Sequence, residues 1–143
     1  MPDNLINLLL VEDNPADTEL IHEIIEETSK NKFKIDNIDN GNEAMKYLLK
    51  EGEYENAITP DLIILDLNLP LKSGKEILRE IKQNKTISSI PVIIVSSSTL
   101  EKEIKTSYEM GASSYLVKSL DLKEFKEKIK ALLDFWINRL HKD

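Results

Sequence analysis

The sequence predicts an α/β fold in which a doubly wound, five-stranded parallel sheet is covered by helices on both faces. Five short apolar segments alternate along the chain with five stretches in which apolar residues recur at helical spacing. Four of the five short segments are almost continuously apolar, as expected of strands buried on both faces of a parallel sheet. Such alternation is typical of right-handed βαβ units.

The first two strand–helix units lie in the N-terminal part of the chain. Residues Ile6–Val11 are nearly all apolar and predict the first strand, which is followed by a helix over residues 16–28. Residues 34–38 alternate polar and apolar side chains, so we expect a second strand at an edge of the sheet. Asn42 is predicted to cap the second helix, because asparagine accepts hydrogen bonds from the free N–H groups at a helix start.

The other three units follow a polar, turn-like segment over residues 51–60. Their predicted elements are strands at 62–65, 92–95 and 114–117 and helices at 75–82, 100–110 and about 121–140. Gly111 is expected to end the fourth helix, since glycine readily adopts the left-handed conformation needed there. The last helix would extend about 30 Å, longer than the sheet requires. No repeat or linker interrupts this order, which predicts one domain over residues 1–143.

Composition narrows the classes of function. The chain has no cysteine, which excludes disulfide frameworks, zinc–thiolate sites and cysteine nucleophiles. A net charge of −7 argues against nucleic-acid binding, which requires basic side chains to neutralise phosphates. No apolar run approaches the roughly 20 residues needed to span a bilayer, and the N-terminus lacks the basic start of a signal peptide. These features predict a cytoplasmic protein that binds neither nucleic acid nor membrane.

Polar and charged residues follow four of the predicted strands at the point where each ends. They are Glu12 and Asp13 after the first strand, Asp66 and Asn68 after the third, Ser96 and Ser97 after the fourth, and Lys118 after the fifth. In open α/β sheets, ligands bind beyond the carboxyl ends of the strands. Each residue alone has an ordinary structural explanation as a turn, cap or surface residue, but their coincidence at four strand ends favours a shared site.

The residue types at these strand ends fit phosphoryl transfer. Carboxylates without histidine or cysteine favour a hard cation, Mg²⁺ before Zn²⁺. Asp66 is a candidate nucleophile, because carboxylates form aspartyl phosphates. Lys118 would supply a compact positive charge and Ser96 a hydroxyl donor to the phosphoryl oxygens.

Four motifs carry a resemblance to a known family. They are LLVEDN at 9–14, DLNLP at 66–70 followed by Ser73 and Gly74, PVIIVS at 91–96, and GASSYLVK at 111–118. Together, in this order and at this spacing, they resemble the response-regulator receiver family over nearly the whole chain. The resemblance implies a flavodoxin-like sheet of order 2-1-3-4-5 and a sensor histidine kinase that donates a phosphoryl group to Asp66.

The resemblance also implies roles for individual residues, in a signalling protein rather than an enzyme. Mg²⁺ would be bound by the side chains of Asp13 and Asp66, by Glu12 largely through water, and by the backbone carbonyl of Asn68. The phosphate-binding and switch residues would be Ser96, Ser97, Lys118 and Tyr115, with Tyr115 moving inward after phosphorylation, and the rate of dephosphorylation would be tuned at Asn68 and Ser98.

Two positions depart from the family pattern. Ser119 follows Lys118 where the family usually has proline, often after a cis peptide bond, so the bond here is either trans or a strained cis bond. Ser73 stands before Gly74 where aspartate is common, a change from which we expect little effect.

The long final helix carries Phe135, Trp136 and Ile137 near its end. Either this turn packs on the domain's own core, or it forms a partner surface, where tryptophan is enriched. We expect a homodimer through the fourth and fifth helices and the fifth strand. The polar insert and this tail resemble the single-domain regulators that are paired with phytochrome-like and other hybrid sensor kinases.

Two other functions remain open at this point. A phosphatase of the haloacid-dehalogenase type also uses an aspartate nucleophile, Mg²⁺ and a lysine, but it needs an acid two residues after the nucleophile, where this chain has Asn68. A pseudo-receiver would bind partners without accepting phosphate, yet such proteins typically lose an acid or the lysine, and all of these are present here.

Overall fold

The computed structural model describes residues 5–119 and 121–140, and over these residues it contains five strands and five α-helices. In chain order they are β1 (Ile6–Val11), α1 (Pro15–Thr28), β2 (Phe33–Ile38), α2 (Gly41–Leu48), β3 (Leu62–Asp66), α3 (Gly74–Gln83), β4 (Val92–Ser96), α4 (Glu101–Glu109), β5 (Ser114–Val117) and α5 (Leu122–Leu140). A short 3₁₀ helix, Gly52–Tyr54, lies in the polar segment between α2 and β3.

The five strands form one parallel sheet in the order β2-β1-β3-β4-β5. This order confirms the predicted flavodoxin-like fold and the edge position of β2. All five residues of β3 and of β4 are buried, whereas β2 is buried fully only at Ile38. The alternating pattern of β2 therefore reflects a strand with one free edge and one partly exposed face.

The sheet has a separate apolar core on each face, because alternate residues of a strand point in opposite directions. Leu9 and Ile63 pack with α2 and α3 on one face, while Leu8 and Leu10 pack with α1 and α5 on the other. Both cores are continuous along the central strands. The sheet is thereby fixed from both sides, and the residues just beyond its carboxyl ends are held on a rigid support.

The start of α2 differs from the prediction that Asn42 caps it. The N-cap is Asn40, whose backbone is extended and whose Oδ1 accepts a hydrogen bond of 2.9 Å from the N–H of Glu43. Gly41 is the first helical residue, and a Cβ there would lie 2.2 Å from the carbonyl oxygen of Lys72. The close approach of the 66–74 loop thus sets the helix start at Gly41, and Asn42 is an exposed residue of the first turn.

The end of α4 agrees with the prediction. Gly111 has a φ of 105°, a left-handed conformation, and its N–H donates to the carbonyl oxygen of Tyr108 at 3.0 Å. Within residues 5–119 and 121–140, none of the helices combines the length and apolar character needed to cross a membrane.

Candidate functional site

Acidic side chains from β1 and β3 meet at the carboxyl end of the sheet. The parallel register pairs Val11 with Leu65, so that Glu12 and Asp66, the next residues of the two strands, come side by side. The residues Glu12 and Asp66 are 1% and 3% exposed, whereas Asp13 is exposed. One carboxylate oxygen from each of these three residues lies within 4.8 Å of the other two.

This acid cluster, defined as Glu12, Asp13 and Asp66, fits a hard divalent cation. Its three ligand atoms are all carboxylate oxygens, which is the donor set that Mg²⁺ prefers. Since Mg²⁺ keeps several waters, three protein oxygens on one side leave room for water and a phosphoryl oxygen. The main-chain N–H of Asn68 donates to Asp66 Oδ1 at 2.9 Å, so the loop after β3 folds back over the acid. The role of the Asn68 carbonyl as a ligand stays a prediction.

Gly74 allows this loop to close on Asp66. A Cβ at Gly74 would lie 2.4 Å from the carbonyl oxygen of Asp66 and 2.5 Å from the Cα of Leu67. Any other residue would push the β3–α3 loop away from the acid. Ser73, which precedes it, accepts a hydrogen bond of 3.3 Å from the N–H of Glu76 and caps α3, so serine takes over the capping function at this position.

Lys118 follows β5 and reaches across to three carboxylates. Its Nζ lies 3.0 Å from Glu12 Oε1, 3.2 Å from Asp66 Oδ2 and 2.9 Å from Asp17 Oδ2. Asp17 is a site residue that the sequence analysis missed. Asp17 lies in the first turn of α1, where an acid stabilises the helix through its interaction with the helix dipole. Because this ordinary role explains the residue, the sequence gives no signal of its contact with Lys118.

The pKa values of Glu12 and Lys118 follow from this packing. Burial and the neighbouring Asp66 raise the pKa of Glu12 from 4.5 to about 7, against the opposing effect of Lys118. Burial alone would lower the pKa of Lys118, but its hydrogen bond to Asp17 and the charges of Asp66 and Glu12 more than offset this and hold the pKa above its usual value. The pKa of Glu12 is therefore higher than that of an ordinary glutamate, and the pKa shift of Lys118 favours its charged form.

The hydroxyl residues after β4 differ in their surroundings. Ser96 is fully buried, and its Oγ accepts a hydrogen bond of 3.2 Å from the N–H of Ser98. Ser97 is exposed and Ser98 is half-buried. The N–H of Lys118 donates to the carbonyl oxygen of Ser96 at 2.7 Å, which joins the ends of β4 and β5. Ser96 is thus held beside the strand that carries Lys118.

Tyr115 is connected to Ser96 through the β4–α4 loop. Its hydroxyl donates to the carbonyl oxygen of Ser98 at 3.0 Å, and its half-buried ring packs against the core formed with α2 and α3. The N–H of Tyr115 in turn donates to the hydroxyl oxygen of Tyr108 at 3.0 Å. A movement of the Ser96–Ser98 segment would therefore change the contacts of the Tyr115 side chain.

The peptide bond between Lys118 and Ser119 is trans, as are all peptide bonds in the described part of the chain. Of the two alternatives, a trans bond or a strained cis bond, the structure therefore has the trans bond at this position, where the family usually has proline. Ser119 Oγ accepts a hydrogen bond of 3.1 Å from the N–H of Asp121, so this serine supports the turn into α5.

The three residues near the end of α5 do not share one environment. Trp136 packs partly against the core formed with α1 and α5, and its indole N–H is buried without a hydrogen-bond partner among the described residues. Phe135 is 50% exposed, packs edge-on against the Trp136 ring at 5.1 Å and has Arg139 over its face. Ile137 is half-buried. The tail thus contributes to the domain's own core through Trp136 and leaves Phe135 accessible.

The chain resembles known proteins over most of its length. Residues 8–130 match the family model of the response regulator receiver domain. The chain is 42% identical over 130 residues to the response regulator Rcp1 of Synechocystis sp., a match that covers 91% of this chain and 88% of Rcp1.

Two solved structures are similar in fold as well as in sequence. The phosphorylated cyanobacterial phytochrome response regulator RcpA has a TM-score of 0.88 and 43% identity, covering 93% of this chain and 94% of RcpA. The Mn²⁺-bound form of Rcp1 has a TM-score of 0.86 and 41% identity, covering 92% of this chain and 94% of that one.

Proposed function

Because the chain belongs to the response regulator receiver family, as the motifs at its strand ends predicted, we propose that Asp66 accepts a phosphoryl group from the phosphohistidine of a sensor kinase. The observation that carries this proposal is the environment of the Asp66 carboxylate. It is buried at the end of β3, with Oδ2 at 3.2 Å from the Lys118 ammonium and Oδ1 at 2.9 Å from the N–H of Asn68. Its oxygens are oriented before any donor arrives.

In the proposed transfer, an oxygen of Asp66 bonds to phosphorus while the bond between phosphorus and the donor's imidazole nitrogen breaks. The proton needed by the leaving imidazole comes from the donor side or solvent. Lys118 neutralises charge on the phosphoryl oxygens, and the Ser96 hydroxyl donates a hydrogen bond to one of them. Mg²⁺ bound by the acid cluster and the Asn68 carbonyl would neutralise the remaining charge. Ser97 is proposed to assist binding at the exposed rim.

The signal is proposed to leave the site through the β4–α4 loop. When Ser96 turns toward the phosphoryl group, the hydrogen bond from Ser98 to Ser96 Oγ changes, and so does the carbonyl of Ser98 that Tyr115 binds. Tyr115 would then move inward, a two-state change driven by the new local charge. Asn68, whose N–H binds Asp66, and Ser98, whose N–H binds Ser96, are proposed to tune how fast water removes the phosphoryl group.

We propose that the phosphodonor is a phytochrome-like sensor kinase, because RcpA is a phytochrome response regulator and is 43% identical to this chain. The same similarity supports a cytoplasmic location and a domain that assists only its own phosphorylation and dephosphorylation. A homodimer through α4, β5 and α5 is proposed, with the exposed Phe135 in the interface. Sedimentation that shows only monomer at micromolar concentration, with and without phosphorylation, would exclude this dimer.

Intact-mass measurement after incubation with acetyl phosphate and Mg²⁺ tests the function. Wild type and Asp39→Asn, which removes an exposed acid after β2, should gain the mass of one phosphoryl group, and Asp66→Asn should gain none. Chelation of the metal should abolish the gain. A wild type that gains nothing, even from a phosphorylated kinase, would be a pseudo-receiver, and a gain in Asp66→Asn would move the acceptor elsewhere. Steady release of phosphate from phosphate esters would instead favour the phosphatase.

A further inference from the structure

The Lys118 ammonium contacts three carboxylates, donating hydrogen bonds to Asp17 and Asp66 and forming an ion pair with Glu12. The distances are 2.9 Å to Asp17, 3.0 Å to Glu12 and 3.2 Å to Asp66. Glu12 and Asp66 belong to the acid cluster, whereas Asp17 comes from α1 and its side chain is 34% exposed. Asp17 is thus the one partner of this ammonium that the acid cluster does not include.

A metal ion and the Lys118 ammonium would compete for the same two carboxylates, Glu12 and Asp66. A cation bound by Glu12 and Asp66 would lie beside the Lys118 ammonium, which now contacts both carboxylates. The two positive charges repel each other, and the repulsion is little screened because both acids are buried. Binding is easier if the ammonium has another carboxylate to which it can shift. Asp17 is in place for this without any rearrangement.

We propose that Asp17 is a positioning residue that draws the Lys118 ammonium toward α1, lowers its competition for Glu12 and Asp66, and thereby strengthens Mg²⁺ binding at the acid cluster. The same contact then keeps the ammonium within reach of a phosphoryl group on Asp66. This inference rests on the proposed function and adds to it a residue outside the four strand-end motifs.

The ordinary alternative is that Asp17 only stabilises the start of α1. An acid in the first turn interacts favourably with the helix dipole, and this effect does not depend on Lys118. The two explanations predict different couplings. A helix-dipole role alters stability equally with or without the lysine, whereas a positioning role changes Mg²⁺ affinity only when Lys118 is present.

A double-mutant cycle with calorimetric Mg²⁺ titration separates them. We expect Asp17→Asn to weaken Mg²⁺ binding about three- to tenfold, and the same substitution in a Lys118→Met background to change it by less than about twofold. Glu26→Gln, which removes the same charge from an exposed position two turns further along α1, is the matched control and should stay within about twofold of wild type. Asp17→Glu, which keeps the carboxylate, should recover part of the lost affinity.

A metal-free measurement guards against variants that simply fold poorly. Thermal unfolding in chelator, followed by circular dichroism, should show that Asp17→Asn lowers the midpoint more in wild type than in Lys118→Met. The inference is overturned if Asp17→Asn binds Mg²⁺ as well as Glu26→Gln does, or if its loss of affinity is unchanged in Lys118→Met. A wild type that binds no Mg²⁺ overturns it together with the metal role.

The outcomes for the proposed function remain distinct. A wild type that shows the Asp17–Lys118 coupling in Mg²⁺ titration but gains no phosphoryl group contradicts the proposed function alone. Normal phosphorylation of wild type, combined with an Asp17→Asn variant whose Mg²⁺ affinity is unchanged, contradicts the inference alone. If both hold, Asp17→Asn should also take up the phosphoryl group more slowly at subsaturating Mg²⁺.

Discussion

Glu12 shows how a single buried acid links the site to the stability of the fold. Burial and Asp66 raise the pKa of Glu12 from 4.5 to about 7, so the folded state holds this proton more tightly than the unfolded chain does. Between these two pH values the folded state binds more protons, and stability therefore falls as pH rises. The loss is complete above the folded-state pKa. In chelator at neutral pH, the buried negative charge of Glu12 therefore lowers the free energy of unfolding.

Glu12→Gln removes this buried charge and is expected to restore the lost stability. In chelator, the variant should become more stable than wild type as pH rises from 4.5 to about 7. The difference between their free energies of unfolding should increase by up to about 3 kcal/mol over this range. Urea denaturation at a series of pH values measures the difference. Parallel curves for wild type and Glu12→Gln would contradict the account of the buried acid.

The individual site residues differ in how far the sequence could reveal them. Glu12, Asp66, Ser96 and Lys118 each lie at the end of a strand or directly after it, and parallel strands bring such residues to one end of the sheet whatever the details of packing. In the structure the Lys118 ammonium contacts Glu12 and Asp66, and the Lys118 N–H donates to the carbonyl oxygen of Ser96. Asp17 lies inside a helix, 101 residues from Lys118, and only the length and direction of the lysine side chain decide that the two meet.

At the scale of elements, the start of α2 depends on a tertiary contact. Asn40 and Asn42 are both good capping residues, and local preference does not choose between them. The choice follows from Gly41, which lies against the carbonyl of Lys72 and has no room for a Cβ. The position of the cap is therefore set by the 66–74 loop, which a local pattern does not contain.

Replacement of each asparagine by alanine tests this assignment. Asn40→Ala should lower the free energy of unfolding by about 1 kcal/mol, because the N–H of Glu43 loses the acceptor that it has at 2.9 Å. Asn42→Ala, two residues later in the exposed part of the first turn, should be neutral or slightly stabilising, since alanine favours helix. Chemical denaturation of the two variants decides the matter. A larger decrease in the free energy of unfolding for Asn42→Ala than for Asn40→Ala would indicate that Asn42 is the N-cap.

The last helix illustrates a limit of periodicity. The apolar spacing over α5 includes Trp136 and leaves out Phe135, which agrees with the structure, but it could not show whether the exposed ring contacts a partner. Trp136 packs toward the core shared with α1, and Phe135 points outward. One helical residue corresponds to about 100° of rotation, so the neighbour of an inward residue is readily exposed. The proposed interface accordingly depends on Phe135 more than on Trp136.

At the scale of the whole molecule, the alternation of strands and helices predicted a parallel sheet with two covered faces, and the structure confirms it. The strand order came from the family resemblance instead, because local patterns do not say which strands are neighbours. That order has a functional consequence. It puts β1 and β3 side by side at the centre, where Glu12 and Asp66 meet, and it puts β4 and β5 next to them with Ser96 and Lys118.

In the same arrangement, the proposed phosphorylation site and the proposed interaction surface lie in different parts of the domain. The acid cluster lies at the carboxyl end of the central strands, while Tyr115 lies on the edge strand β5 and Phe135 lies on α5, which packs with α1 on one face of the sheet. The β4–α4 loop connects the two through Ser96 and Ser98. Under the proposed function, a change at Asp66 would reach Tyr115 through these few hydrogen bonds.

Location of the phosphoryl group tests the central claim most directly. Wild type is incubated with acetyl phosphate and Mg²⁺, treated with borohydride, which reduces an acyl phosphate to an alcohol, and digested for mass spectrometry. The account predicts conversion of residue 66 from aspartate to homoserine, dependent on both donor and metal, with the other acids of the cluster unchanged. Conversion at Glu12 or Asp13, or a phosphoryl group that survives borohydride on Ser96 or Ser97, would contradict it.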